Sequence, residues 1–314
     1  MKTPQIRYGL IREVIVMAFD TVRTNKLRSG LTVLGVVIGI TSIVAMTSLI
    51  RGFDASLEES LQTGLGANTI YVQRFGITSF ASGREFSELT KRPVLTVSDA
   101  RALQGETDGL QYVNIEFGRG PGPPATRRVA YGGVRTRPIL IFGTTEFFAE
   151  GTGLKLVAGR FLTGPEIQYR SKVTVLGNSA YQLLFAEKGL DPIGKTIRVG
   201  SESFVVVGVF DKAPSPGGLV GNPDDFAIIP YTTYQSVFGL RVVQNARGMM
   251  PTAVQFSIVP RSGVSQKHAI AEIERVMRSR HRLRLDEAND FDIVTQDALM
   301  QVWNQISQAT FFAL

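Results

Sequence analysis

Gly189-Leu190-Asp191-Pro192-Ile193-Gly194-Lys195-Thr196 satisfies the G-x-x-x-x-G-K-[ST] expression of a phosphate-binding loop. That chemistry needs a strand entering the loop and a helix leaving it, so that helical N–H groups face the phosphates. Here the order is reversed. Tyr181–Glu187 has helical spacing, and Thr196-Ile197-Arg198-Val199 alternates like a strand. These residues predict a Gly/Pro turn feeding a strand. The densest basic patch is Arg275, Arg278, Arg280, His281, Arg282 and Arg284. Contact with anionic lipid and a solvated helix end both fit it. No aromatic residues interleave as nucleic-acid binding would favour, and cations at a helix C-terminus complement its dipole. His268 and His281 lack metal-ligand spacing and are expected at the surface. Asp224-Asp225 and Asp286-Glu287 are carboxylate pairs with nothing to set them across a cleft for acid/base work. There is no G-x-S-x-G elbow, and without Cys there is no thiolate nucleophile or thiolate metal site. No catalytic residue, metal ligand or cofactor site is expected.

The chain has 314 residues, with 34 Lys+Arg against 27 Asp+Glu, a net charge of +7. Residues 1–30 hold six of those cations and two acids, or +4, leaving +3 for the remainder. A basic end before an apolar run points to a membrane. Leu31–Ile50 is twenty residues without a charge, long enough at about 1.5 Å per residue to cross the hydrocarbon core as a helix. Its Thr and Ser hydroxyls can bond back to preceding carbonyls. Arg23, Lys26 and Arg28 precede the span, while Asp54, Glu58 and Glu59 follow it. The positive-inside rule therefore places the N-terminus in the cytoplasm and residues from about 51 onward across the membrane. Leu10–Leu27 reads as an amphipathic helix on the cytoplasmic membrane surface, or as a basic tail. Gly35 and Gly39 form a small-xxx-small pair that permits close approach of another helix.

The expected fold class is α+β. A basic segment (1–29) and one transmembrane helix (30–50) precede a large extracytoplasmic domain (51–300) of two β-α-β units with an inserted mixed α/β subdomain. A polar helix over residues 53–64 extends the span as a stalk. The β-α-β units cover about 65–120 and 251–296, and the insertion about 125–250. Expected strands include 68–74, 109–117, 128–134, 139–143, 172–176, 196–199, 204–210, 226–230, 252–259 and 291–294. Helices are expected near 96–104, 145–150, 179–187 and 264–280. Residues 301–314 end in Phe311-Phe312-Ala313-Leu314 and read as the start of a second membrane helix, left incomplete, or as an amphipathic helix. The Gly/Ser/Pro-rich tracts 75–92 and 213–224 are loops and candidates for partner contact.

This order of features resembles the MacB/FtsX-type ABC transporter permeases. The likeness is carried by Arg23-Thr24-Asn25-Lys26-Leu27-Arg28-Ser29 ahead of Leu31–Gly39, by Leu65-Gly66-Ala67-Asn68-Thr69-Ile70-Tyr71-Val72, and by Val157-Ala158-Gly159-Arg160-Phe161. Val175-Leu176-Gly177, Pro192–Ile197 and Val206-Val207-Gly208-Val209 complete it. The resemblance implies a four-span permease with a periplasmic core domain between its first two spans. It further implies working as a homodimer or paired permease with a cytoplasmic ABC ATPase that is a separate chain or a fused domain. ATP-driven motion would be passed to the periplasmic domain for efflux or for lipoprotein or lipid handling, with a periplasmic adaptor protein as a further partner. Membrane lipid is an expected partner and nucleic acid is not. The competing reading is a single-span membrane sensor or assembly factor with an extracytoplasmic ligand-binding domain.

Overall fold

Alternation along Thr196–Val199 buries Ile197 and Val199 and exposes Thr196 and Arg198, whereas Phe226–Pro230 is buried at every position. The first pattern belongs to a strand with one wet face and the second to a strand covered on both. A computed structural model places both in one mixed sheet. It describes residues 12–13, 16–17, 23–65, 68–76, 86–89, 91–121, 124–213, 224–239, 242–245 and 248–313. Half of the Leu10–Leu27 segment, and much of the interiors of the 75–92 and 213–224 tracts, lie outside the described residues. The chain divides into two compact units, Met1–Ala55 and Ser56–Leu314.

Helix α1 is a single element, Lys26–Leu65. After it come β1 (Ile70–Gln73), a short α2 (Phe86–Leu89), α3 (Val97–Glu106) and β2 (Leu110–Phe117). The middle of the chain supplies β3 (Thr126–Arg127), β4 (Val129–Tyr131), β5 (Val134–Arg135), β6 (Ile139–Thr144), α4 (Phe148–Gly151) and β7 (Leu156–Gly159). It continues through α5 (Gly164–Gln168), β8 (Val173–Leu176), α6 (Asn178–Leu184), β9 (Thr196–Val199), β10 (Glu202–Phe210), β11 (Phe226–Pro230) and α7 (Tyr231–Phe238). A separate hairpin, β12 (Val242–Asn245) and β13 (Gly248–Pro251), leads to β14 (Val254–Pro260), α8 (Gln266–Arg280), β15 (Asp292–Val294) and α9 (Gln296–Ala313).

The large sheet runs β15-β1-β14-β2-β6-β11-β8-β10-β9-β4-β5, with β3 beside β6 and β7 beside β10. The fold is therefore α+β, as expected. The β-α-β units do not sit side by side. β14 lies between β1 and β2, and β1 lies between β14 and β15, all as antiparallel neighbours. In the strand ladder this flanking part joins the inserted part through one residue pair, Phe117 with Gly143, and the two share one hydrophobic core. One sheet face carries the main core, from Ile70, Val72 and Phe256 to Phe204 and Ile229, under α3, α6 and α8. The opposite face holds a second, aromatic cluster of Phe142, Phe148, Phe210 and Phe226, with Phe161 packed against it.

Two local readings are corrected. Residues 128–134 form a hairpin, not one strand: Gly132 and Gly133 both take positive φ (54° and 84°), the conformation of a two-residue I′ turn. The helix read over 179–187 ends at Leu184, and a 3-10 turn over Ala186–Lys188 replaces its last turn. Helix α7 was not anticipated. Its sequence, Tyr-Thr-Thr-Tyr-Gln-Ser-Val-Phe, is rich in strand-favouring types, and burial of Thr233 and Tyr234 decides its state.

Candidate functional site

Within Lys26–Gly52 of α1 an 18-residue stretch has a mean hydropathy of 2.3, and none of that stretch is buried within the protein. Leu31, Ile38, Ile43 and Leu49 are each more than half exposed, a pattern that suits lipid rather than water. The Thr47 hydroxyl donates to the Ile43 carbonyl at 2.7 Å and that of Thr32 to Ser29 at 2.9 Å, so these side chains present no unsatisfied donor to lipid. Gly35 and Gly39 lie one turn apart, with open space where their Cβ atoms would stand. Arg23, Lys26 and Arg28 are exposed at the helix start.

The phosphate-loop expression has the geometry of a structural turn. The backbone N–H groups that a phosphate would require are already spent: Gly189 donates to Ala186, Leu190 to Phe185, Gly194 to Val206 and Lys195 to Pro192. Ile193 donates to the Asp191 carboxylate at 3.0 Å. Helix α6 precedes the loop and β9 follows it, so no helix N-terminus faces it.

The basic patch at the end of α8 is largely satisfied from within. Arg280 binds Asp99 at 2.7 Å, Arg275 caps the Glu106 carbonyl, and Arg278 holds the Glu287 and Arg284 carbonyls and Asn289. His281 is not a surface histidine. Its side chain is 8% exposed, with Nδ1 at 2.6 Å from Asp290, Nε2 at 3.9 Å from Asp99 and Phe291 edge-on to the ring. Asp99 is also the third residue of α3 and closes a capping box with Thr96. The start of α3 and the end of α8 thus share one carboxylate, with an acid at a helix N-terminus and cations at a C-terminus. Burial works to raise the Asp99 carboxyl, but hydrogen bonds from His281, Thr96 and Arg280 overcome it and hold it well below the usual range. Hydrogen bonding to Asp99, opposed by burial and reinforced by Asp290, raises the His281 imidazole above its ordinary value. By distance Asp290 is the tighter partner.

A stability consequence follows from that sign. A histidine raised in the folded state stabilises fully below the unfolded value, about 6.5, and the contribution fades as pH rises through the folded value. In detergent micelles the thermal midpoint should fall as pH rises above about 6.5, and His281→Gln should flatten that slope. Equal slopes for the two proteins would remove His281 as the cause.

Each acid of the carboxylate pairs is engaged by a nearby donor or cation. Asp224 is buried and accepts from the Ala213 N–H at 2.7 Å, burial being the main force that raises its carboxyl. Asp225 pairs with Arg137. Asp286 pairs with Arg284, and Glu287 accepts from the Arg284 N–H. His268 is exposed beside Glu272. Among the described residues no three His, Asp or Glu side chains gather as a metal site.

What residue spacing did not disclose is where the ends of the domain meet. β1 and β15 are antiparallel neighbours, with Tyr71 opposite Val294 and Gln73 opposite Asp292. The start of β1, reached from α1, and the end of β15, leading into α9, therefore lie at the same edge of the same strand pair. The other end of that pair is pinned by Asp292, which takes Arg92 at 2.9 Å and the Gly76 N–H at 2.7 Å. Arg74 and Arg92 each donate to the other's carbonyl, closing the neck of the 75–92 tract. A polar row continues across the sheet through Gln73, Gln255 and the fully buried Glu116.

One apolar helix ahead of a mixed α/β domain fits the MacB/FtsX-type permeases. The chain belongs to the MacB-like periplasmic core domain family, whose model matches residues 29–276. A protein named macrolide export ATP-binding/permease protein MacB from Chlorobaculum tepidum is 28% identical over 297 residues, covering 94% of this chain and 42% of that protein. Its namesake from Bartonella quintana is 31% identical over 229 residues, covering 72% and 32%. The chain thus spans about two fifths or less of the length of these curated relatives. The crystal structure of the periplasmic region of MacB from Actinobacillus actinomycetemcomitans superposes with a TM-score of 0.56 at 21% identity, covering 78% of this chain and 96% of that one. The extracellular domain of the noncanonic ABC-type transporter YknZ from Gram-positive bacteria gives 0.52 at 18% identity, covering 73% and 100%. Both show a shared fold.

Proposed function

We propose that this chain is the N-terminal part of an ABC transporter permease of the inner membrane, with its N-terminus cytoplasmic and its α/β domain periplasmic. In this reading a cytoplasmic ABC ATPase, on a separate or fused polypeptide, drives motion that α1 carries to the periplasmic domain. The work is MacB-type efflux or lipoprotein or lipid handling, done as a homodimer or paired permease, with membrane lipid around the span and a periplasmic adaptor as further partner. The observation that carries the reading is the adjacency of the start of β1 and the end of β15. A push along the 40-residue α1, roughly 60 Å of helix, arrives beside the strand that leads into α9. Relative movement of two membrane helices would then shear one strand pair and be felt through the sheet. The packed β1 residues Ile70 and Val72, both 0% exposed, make that strand an integral part of the core. Gly35 and Gly39 supply the close-packing stripe for a neighbouring membrane helix. The family match does not favour a single-span sensor.

The chain has no native cysteine, so orientation can be read from single replacements. In spheroplasts a membrane-impermeant maleimide should label Arg101→Cys on the exposed side of α3, and should label Arg28→Cys after permeabilisation. Labelling of position 28 alone in intact cells would invert the topology and end this reading.

A further inference from the structure

The wet face at the β9-β4-β5 end of the sheet carries a feature the permease reading leaves unused. The register sets Arg135 opposite Ala130, Ala130 opposite Arg198, and Arg198 opposite Ser203 across β5, β4, β9 and β10. Residues directly opposed in a sheet project to the same side. The alternate residues Val129, Ile197, Val199 and Phe204 are buried in the core at 0–1% exposure, so the row with the two arginines faces solvent. It forms the floor of a groove of about 390 Å³, rimmed by the side-chain-free turn Gly132-Gly133.

The charge here is one-sided. Residues 125–137 hold four arginines and no acid, and residues 195–203 hold two cations and the single acid Glu202. Glu202 is engaged by Lys172 at 2.7 Å, and Asp225 reaches in only to Arg137. Among the described residues no carboxylate pairs with Arg135 or Arg198. The two guanidiniums stand two inter-strand steps apart, roughly 10 Å at their Cα atoms, and offer two cationic positions along one face. They suit a ligand that carries several carboxylates along its length.

We infer that this groove is a docking surface for an acidic polypeptide segment of a soluble partner protein, its carboxylates received by Arg135 and Arg198 over the Ala130 floor. A polypeptide is preferred to a lipid headgroup on topological grounds. β4, β5 and β9 close one end of the strand order, and β1 and β15, where the chain joins α1 and α9, close the other. The groove thus belongs to the end of the sheet remote, in strand order, from the membrane connections. The inference rests on the permease reading for the partner's compartment alone, and its test needs neither ATPase nor transport, so the two can fail separately.

The probe is fluorescein-labelled decaglutamate, titrated by anisotropy against the full chain in phosphatidylcholine nanodiscs at about 50 mM salt. Saturable binding is expected, weakened at least about tenfold by Arg135→Glu/Arg198→Glu and by a smaller factor by Arg135→Gln/Arg198→Gln. The control Arg101→Glu/Lys267→Glu, with the same charge change on exposed faces of α3 and α8, should bind like the unaltered protein. Unchanged thermal midpoints exclude unfolding as the cause, and the neutral pair serves if the reversed pair does not fold. Absence of binding, binding that survives both arginine replacements, or an equal loss in the control would overturn the inference. So would arginine-dependent binding to phosphatidylglycerol vesicles without binding to the peptide, which would make the occupant a membrane.

Discussion

Val37→Asp/Ile40→Asp should release the chain from membranes on carbonate extraction, whereas the unaltered protein stays in the pellet. Both positions lie at the middle of Leu31–Ile50, and both side chains are more than half exposed on a stretch of mean hydropathy 2.3. A carboxylate at the centre of a spanning helix costs about 2.5–3.5 kcal/mol, and each lost Val or Ile forfeits a further few tenths. The pair therefore removes roughly 6–8 kcal/mol of insertion free energy, more than the remaining apolar residues of one marginally longer span recover. Undiminished retention in the pellet would mean that the helix is held by something other than lipid. That result would remove the anchor on which both the topology and the rod-like role of α1 depend.

The second large effect is expected from the two glycines that face each other across β7 and β10. Gly159 pairs with Gly208, and these residues come from two of the segments that carry the family resemblance. Strand β10 pairs with β9 along its first residues, with β8 along its middle and with β7 at its end, and its register with β8 shifts between Val206 and Gly208. That bulge brings backbones close together. A Cβ on Gly208 would collide with the Arg160 carbonyl, and one on Gly159 with the Val207 carbonyl. Gly159 also holds φ at +72°, where an L-residue adds strain of about 1–2 kcal/mol. With about 1–3 kcal/mol for the forced contact, Gly159→Ala should lose roughly 2–5 kcal/mol. Gly208→Ala should lose the contact share alone. At about 2–4 °C per kcal/mol for a domain of this size, the first variant's thermal midpoint drops by roughly 5–20 °C and the second's by less. A Gly159→Ala protein that melts with the unaltered chain would show that the backbones can part at no cost, and β7 would then be a loosely held edge.

Elements with a strong local signature were legible from residues alone. The twenty-residue uncharged run became part of a continuous helix, and Thr196–Val199 and Phe226–Pro230 appear with the bounds expected of them. Thr96 and Asp99 marked the start of α3 because a capping box is written within four residues. The reversed helix–loop–strand order around Gly189–Thr196 likewise disclosed a turn rather than a nucleotide site. The hairpin at Gly132-Gly133 was readable in principle, since paired glycines between apolar alternations signal a I′ turn.

His281 shows where such reading ends. Its neighbours in sequence are arginines, and they gave every reason to expect a solvated histidine. Its burial follows from Asp99, 182 positions earlier, and from a loop that folds Asp290 back over the helix end. The interleaving of β15, β1, β14 and β2 is decided in the same way. Strand periodicity says that a residue pairs and which face it turns to the core, while the choice among partners depends on which surfaces remain unburied once the whole sheet is assembled. What the amino-acid order determined unaided was therefore the long apolar helix, most strand and helix positions and the family, because hydropathy and periodicity act within one or two turns of chain. The tertiary structure alone decided that both ends of the domain share one strand pair, that His281 is enclosed by two acids, and that Arg135 and Arg198 flank a common floor. Each of those is a meeting of residues far apart in sequence, set by register and packing rather than by local preference.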